Sequence, residues 1–392
     1  MNIMLKTPTA GPAVLANVEV FDDLALAAPA WRALERSGAV HTPYQRYDWV
    51  ALWQQHVSAR TGTTPLAIVG RSAGGEPLFL LPLGVSRRGP ANVATFYSGK
   101  HANFNFALWR REYAAQITAA DLSEILKTAG PKANVDLFML MNQPTHWDGL
   151  ANPFALLPHQ ASPSAAHKLR LGAPSREVMD RQLSASTQSR LRKKGRGLEK
   201  LPGYRFYRAS TEAEVSGILE AFFRQKARRF RVQGLRDVFA EPGVEKFIRD
   251  ACRLERTAGR PVIELYAIEA EGEPIAICGG THDGRRFSSM FKSFSEAARH
   301  SPGLILTAKV IADCADRGFE FFDLGVGESN YKDVFCNERE PLFDSFLPMT
   351  PLGRLAGGAL RLTYGLKGKI KTSPALWAAV QASRRLAARV AS

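Results

Sequence analysis

Several stretches of this 392-residue sequence bring together residue types that can do chemistry. Asp323 lies near the end of an apolar run, residues 319–324, just before Gly325-Val326-Gly327. A carboxylate there sits where a sheet's C-terminal edge meets ligand. It either accepts a proton or ties down the N–H groups of the glycine turn. Glu328 is the second carboxylate of the stretch, or an exposed loop residue. Ser301-Pro302-Gly303 reads as a helix start, whose free N–H groups and positive dipole end suit a phosphate; an ordinary capped helix is the alternative. Residues 97–105 set His101, Asn103 and Asn105 among aromatics. The imidazole titrates near neutrality and the amides can orient a substrate, or the loop is merely structural. Residues 188–200 (QSRLRKKGRGLEK) offer Arg190, Arg192 and Lys193 to a diphosphate, or form a solvated face.

The elements that would hold these residues form two similar halves. A strand at residues 18–21, a helix near 31–37, a break at His41-Thr42-Pro43-Tyr44 and a second helix lead to a hairpin of residues 66–70 and 78–85. In the second half a helix over 212–231 leads to a hairpin of residues 262–270 and 275–280. Gly-Glu-Pro precedes the second strand of each hairpin, at 75–77 and 272–274, which suggests an internal duplication spaced by about half the chain. A strand at 287–294, a helix over 304–317 stopped by Gly318 and the buried strand 319–324 complete the second half. The order predicts an α/β fold with mixed α+β sheets, and the length with the duplication predicts two tandem domains. The expected domains are 1–170 and 171–350, with a basic tail at 351–392. Residues 188–200 read as a helix start broken by Gly195 and Gly197.

The net charge of +15 is patterned. Residues 181–208 hold nine Lys and Arg against Glu199 alone, and residues 351–392 hold eight and no acid. Such segments ask for anionic partners. Residues 374–390 have helical spacing with apolar and basic faces, which suits an anionic membrane surface or a helix packed on the core. No stretch is apolar enough to span a bilayer, and the first residues do not read as a secretory signal. Cys252, Cys278, Cys314 and Cys336 form no C-x-x-C pair and read as reduced core residues of a cytoplasmic protein. The histidines show no metal-binding spacing, so no metal site is expected.

The S-P-G helix start, F-D-L-G-V-G at 322–327 and Y-K-D-V-F at 331–335 together resemble the GNAT-like acyltransferases grouped around the cellulose-biosynthesis protein CelD, distant relatives of the FemAB/FemX peptidyltransferases. The resemblance covers roughly residues 20–345. It implies two tandem GNAT-like domains packed around a central cleft and transfer of an acyl group, usually to an amine. It also implies a role for Lys332 in holding the oxyanion, the plain alternative being a surface lysine on a short helix; Tyr331 beside it donates a proton to a leaving thiolate or simply packs. Ser301, Gly303, Gly325 and Gly327 would then lie at the donor, and the Arg-rich helix would line its phosphates. The familiar R-x-x-G-x-G loop is absent, which leaves longer acyl-CoA or another activated donor open beside acetyl-CoA. The expected partners are acyl-CoA as co-substrate and an amine acceptor of a lipid or cell-envelope precursor. No cofactor is expected to stay bound, and the basic tail would place the protein at the inner face of the inner membrane. The alternatives are a FemX-like transferase using aminoacyl-tRNA, and a non-catalytic nucleic-acid binder or scaffold. Nucleic acid is not the expected partner, because no aromatics interleave the Arg run.

Overall fold

The structure, a computed structural model, describes residues 14–253, 261–295, 300–327 and 330–373. The chain first lays down β1 (Leu15–Phe21), then α1 (Leu24–Arg36) and α2 (Tyr47–His56). The hairpin of β2 (Thr64–Ser72) and β3 (Pro77–Arg88) follows, then β4 (Ala91–Thr95), α3 (Ala119–Lys132) and β5 (Leu137–Pro144). Asp23 starts α1 by accepting the N–H of Ala25, and the glycine conformation at Gly75 (φ 80°) closes the hairpin.

Two connecting strands, β6 (Gln160–Ala161) and β7 (Ala166–Arg170), lead to α4 (Ser175–Gln182) and α5 (Ala185–Glu199). The second half then repeats the first. It comprises β8 (Arg205–Arg208), α6 (Glu212–Val232), α7 (Val244–Ala251), β9 (Glu264–Ala270), β10 (Glu273–His282), β11 (Arg286–Phe294), α8 (Pro302–Asp316) and β12 (Phe321–Val326). Short α9 (Asn330–Phe335) and β13 (Glu338–Glu340) precede β14 (Leu342–Pro348) and α10 (Pro351–Thr372).

The strand order of the first sheet is β1-β2-β3-β4-β5-β14-β6, and that of the second is β8-β9-β10-β11-β12-β7-β13. Along these paths the two match position by position; the first sheet carries in addition a short strand, Leu108–Trp109, paired with β3. Neighbours are antiparallel in both except the central pairs, β4 with β5 and β11 with β12, which are parallel. The duplication suggested by Gly-Glu-Pro is thus a repeat of topology. The sheets do not divide at the boundaries expected at 170/171 and 350/351. β7 precedes residue 171 yet lies in the second sheet, and β14 precedes residue 351 yet lies in the first. Each sheet is completed by a strand from beyond its own half.

One hydrophobic core runs through both halves, joining Trp49 and Trp53 of α2 to Phe247 of α7 in edge contacts at 5.0 and 4.9 Å. A second core lies between α8 and the second sheet. The break expected in α5 does not occur. The helix runs through both glycines: a Cβ on Gly197 would fall 2.7 Å from Nδ1 of His300, so that glycine is used for packing, while Gly195 is buried on a groove wall with nothing among the described residues within 4 Å of where its Cβ would be. Of the expected tail, residues 351–372 form α10 against the first sheet; the amphipathic segment at 374–390 lies outside the described residues.

Candidate active site

The parallel strands β11 and β12 stay in register only at Arg286–Phe321, Phe287–Phe322 and Ser288–Asp323. Past Asp323 no further pair joins them, and the first half reaches into the gap. Nδ2 of Asn103 donates to the carbonyl of Ser289 at 3.0 Å. A Cβ on Gly325 would come within 2.5 Å of Oδ1 of Asn103, and its φ is 74°, so glycine is required there for space and for conformation.

Asp323 is the centre of this junction and is 0% exposed. Its Oδ2 accepts the Ser288 hydroxyl at 2.6 Å and its Oδ1 accepts the Gly325 N–H at 3.2 Å. Burial pushes its pKa up to about 7. The Arg286 guanidinium and the Ser288 and Gly325 hydrogen bonds pull the other way, while Glu340 adds to the rise. Arg286 is itself buried, bonded to Glu340 at 2.7 Å and laid over the Trp147 ring at 3.8 Å. Above this cluster the fully buried Tyr44 lies beside Ser288 and Asn103 without a well-formed hydrogen bond to either. Burial and the Asp323 carboxyl both raise its phenol well above the ordinary value. An orphaned buried hydroxyl beside a carboxyl poised near neutrality is a polar pair that a substrate group can complete.

Lys332 comes to the same loop. Its ammonium donates to the carbonyls of Gly325, Val326 and Gly327 at 3.1, 3.0 and 2.9 Å. Three donors are thereby committed to the turn, which makes Lys332 a positioning residue for Gly325 and Gly327 rather than a cation facing a reacting carbonyl. On the α8 side of the gap, half-buried Lys292 donates to Thr307 Oγ1 at 3.1 Å and lies 5.1 Å from the centre of the Tyr331 ring. Burial lowers the Lys292 pKa and raises the Tyr331 phenol to about 12.

The start of α8 has an unusual entry. His300 and Ser301 both have positive φ, 67° and 55°, and Ser301 makes no capping bond with its side chain. Instead Oγ of Ser301 meets Nζ of Lys194 at 2.7 Å. A cation beside a helix N-terminus opposes the helix dipole unless an anion joins them. Gly303 lets the ring of Phe294 approach, at 3.0 Å from where a Cβ would be. Beside it, α4, α5 and α8 enclose a groove of about 430 Å³ with Leu183, Leu191, Ile305 and Ala308 on its walls and Arg192 and Arg196 among its lining residues.

The structure therefore gathers Asp323, Asn103, Gly325, Gly327, Lys332 and Tyr331 around one gap, with Ser301 and Gly303 at the nearby helix start. Others go elsewhere. His101 is wedged between the rings of Trp53 and Phe239 at 5.5 and 5.3 Å, and burial lowers its pKa to about 4, so it is a packing residue at the joint of the halves. Asn105 is spent on Gln45 and on the carbonyl of Met141, at 3.2 and 2.9 Å. Arg190 and Lys193 point to solvent, and Lys194 takes the position expected of them. Glu328 lies outside the described residues. All four cysteines are buried with thiols pushed up, that of Cys336 to about 12, which leaves no reactive thiolate. Among the described residues no cluster of His, Cys, Asp or Glu is arranged to hold a metal.

Tyr44, Ser288, Lys292 and Lys194 were not singled out from sequence. Tyr44 stood in a segment read only as a helix break. Lys292 had a usable signal, a lysine inside the apolar strand 290–294.

Residues 185–333, from α5 into α9, match the family model for the acetyltransferase (GNAT) domain. No curated sequence relative matches the chain. Among solved structures, FemX is similar with a TM-score of 0.61 at 10% identity, over 86% of this chain and 100% of that one. The C-terminal DUF2156 domain of an Agrobacterium fabrum protein named for lysylphosphatidylglycerol synthetase gives 0.54 at 12%, over 88% and 96%. L-PGS from Bacillus licheniformis gives 0.50 at 13%, over 84% and 96%. The fold is mixed α/β and GNAT-like, and the gap between β11 and β12 lies within the matched segment.

Proposed function

We propose that the protein is an N-acyltransferase of the CelD-like group that passes an acyl group from a thioester donor, acyl-CoA, to an amine on a lipid or cell-envelope precursor. The observation that carries this reading is Asp323: a carboxyl with a pKa of about 7, fixed by Ser288 and Gly325 where the central strands part, beside the unpartnered hydroxyl of Tyr44. The attacking nitrogen forms its bond to the acyl carbon as the carbon–sulfur bond breaks. Asp323 accepts the first of the two protons the ammonium loses on becoming an amide N–H, and the second passes to the leaving thiolate through solvent or the Lys292–Tyr331 side of the gap. Lys332 keeps the Gly325–Gly327 turn in shape, and Lys194 with the start of α8 supplies positive potential for the donor's phosphates. No acyl-enzyme is needed.

Calorimetric titration with acetyl-CoA, palmitoyl-CoA and free CoA tests the donor. Saturable binding that weakens in Lys194→Ala is expected, and tighter binding of the longer chain would point to a lipid-directed reaction. Absence of binding to every CoA species would overturn the acyl-CoA reading. It would move an aminoacyl-tRNA donor forward, for which the exposed Arg190, Arg192 and Lys193 of α5 are the feature in favour.

A further inference from the structure

α10 is amphipathic twice over. Its inner stripe, Leu352, Ala356, Leu360 and Tyr364, packs on Leu137, Met139 and Phe346 of the first sheet. Gly353 and Gly357 bring the helix close: a Cβ on Gly353 would collide with the carbonyl of Asp136, and one on Gly357 would press on Leu137 at 3.2 Å. A surface helix anchored in this way ordinarily turns charged and polar side chains outward. This one turns out Leu355, Leu362 and Leu366, which are 75%, 77% and 59% exposed. At about 100° per residue these leucines share one arc of about 60° with Ala359, its centre about 110° round the helix from that of the packed stripe. Arg354 and Arg361 run along one flank of the arc, Lys369 lies at its edge, and no acidic residue occurs anywhere in the helix. Asp136, just before β5, is turned to the helix start, where it accepts the Thr350 hydroxyl at 2.6 Å. Arg88 adds a further cation on this side through its contact with Met139.

We infer that the outer face of α10 seats on an anionic lipid bilayer, its three leucines dipping among the lipids at headgroup depth while Arg354 and Arg361 lie against the phosphates. The charge selects this occupant. A second copy of the chain would bring the same unrelieved positive charge to the interface, whereas an anionic surface neutralises it and accepts the leucines together. Among the described residues no helix is long and apolar enough to cross a membrane, so the contact is interfacial. The inference does not depend on the transfer chemistry.

Co-sedimentation of the full chain with phosphatidylcholine vesicles, with and without phosphatidylglycerol, tests it. Binding is expected only to the anionic vesicles and is weakened by high salt. The triple variant L355S/L362S/L366S is expected to lose at least about tenfold in vesicle affinity. R354Q/R361Q is expected to lose roughly fivefold per charge and much of the salt dependence. Unchanged thermal melting would show that both variants fold. Leu362→Trp supplies a second readout, a blue-shifted emission on anionic vesicles alone. Absence of vesicle binding by the wild-type chain, or equal binding by the leucine variant, would overturn the inference. So would loss of a dimer in the leucine variant, measured by light scattering without lipid, together with unaltered vesicle binding.

Discussion

The two halves share one topology and use it differently. In each, the central parallel strands pair over three positions and then part. In the first half the last pair is Thr95 with Met139; in the second it is Ser288 with Asp323. Beyond its last pair the first half closes its own gap. The main-chain N–H and side-chain amide of Asn105 take the carbonyls of Asn142 and Met141. The helix leaving each gap differs as well. Thr118 and Asp121 form a reciprocal capping box at the start of α3, with bonds of 2.9 and 3.2 Å, so that a carboxylate already answers the helix dipole. The start of α8 has no side-chain cap and holds Lys194 instead. The first half supplies Tyr44 and Asn103 to the junction, while the second supplies the buried carboxyl of Asp323 and a helix start without a side-chain cap, so the proposed site lies past the last strand pair of the second sheet.

The strongest way to break this contrast is at its centre. Asp323→Asn is expected to lower kcat by roughly 10²–10⁴ with the fold intact, the range for loss of a positioned base. Met139→Leu, at the matching place, is expected to leave turnover within about twofold. Equal losses would mean that the halves are not divided as scaffold and site. The wild-type rate should rise with pH through about 7 as Asp323 ionises. Stability should move the other way. Between the ordinary 3.8 and about 7 the folded chain keeps a proton that the unfolded chain has released, so stability falls as pH rises, by roughly 4 kcal/mol over the full window. Urea unfolding of Asp323→Asn across this range should lack that slope.

The joint between the halves gives the opposite pH signature. His101 is held neutral between Trp53 and Phe239, with a pKa of about 4 against an ordinary 6.5. The unfolded chain binds the proton more readily, so stability falls as pH drops from 6.5 toward 4, by roughly 3 kcal/mol. His101→Phe should remove this acid loss and leave transfer at neutral pH nearly unchanged. A large fall in kcat at constant stability would instead return His101 to the chemistry.

Donor affinity provides the next separation. Lys194→Ala is expected to weaken CoA binding about tenfold, the effect of one phosphate-directed cation at a helix start. Gly197→Ala, which drives a methyl into the His300 ring, should weaken it by about threefold through displacement of that entry. Neither change should alter thermal melting by more than a few degrees.

What the sequence revealed and what it hid follow from the same contrast. The hairpins, the helix over 304–317 and the strand ending near Asp323 were legible because apolar periodicity and glycine placement are local signals, and Asp323 was legible because it closes such a strand. Tyr44, Ser288 and Asn103 meet only when the halves dock; Asn103 was legible as an amide set among aromatics, while its neighbours Tyr44 and Ser288 were not. His101 and Asn105 have the right chemistry for a site, but tertiary packing consumed it. Lys332 was found by its motif, and its role was misread because a lysine that clamps three carbonyls looks, in sequence, like one that faces a substrate. The continuous helix through Gly195 and Gly197 was hidden for a similar reason: glycine lowers helix propensity locally, and only the approach of His300 explains Gly197.

The smallest effect tests the scaffold side. Thr118→Ala removes one arm of the capping box, leaving the Asp121 N–H without its 3.2 Å acceptor and the Asp121 carboxylate without the Thr118 hydroxyl at 2.7 Å. The expected cost is about 1 kcal/mol of stability, read as a shift of the urea midpoint at constant slope. CoA affinity and kcat should stay at wild-type values, because the start of α3 is closed and belongs to no ligand. If Thr118→Ala weakened donor binding as much as Lys194→Ala does, the first half would hold a donor too. The asymmetry between capped and uncapped helices would then no longer mark where substrate binds.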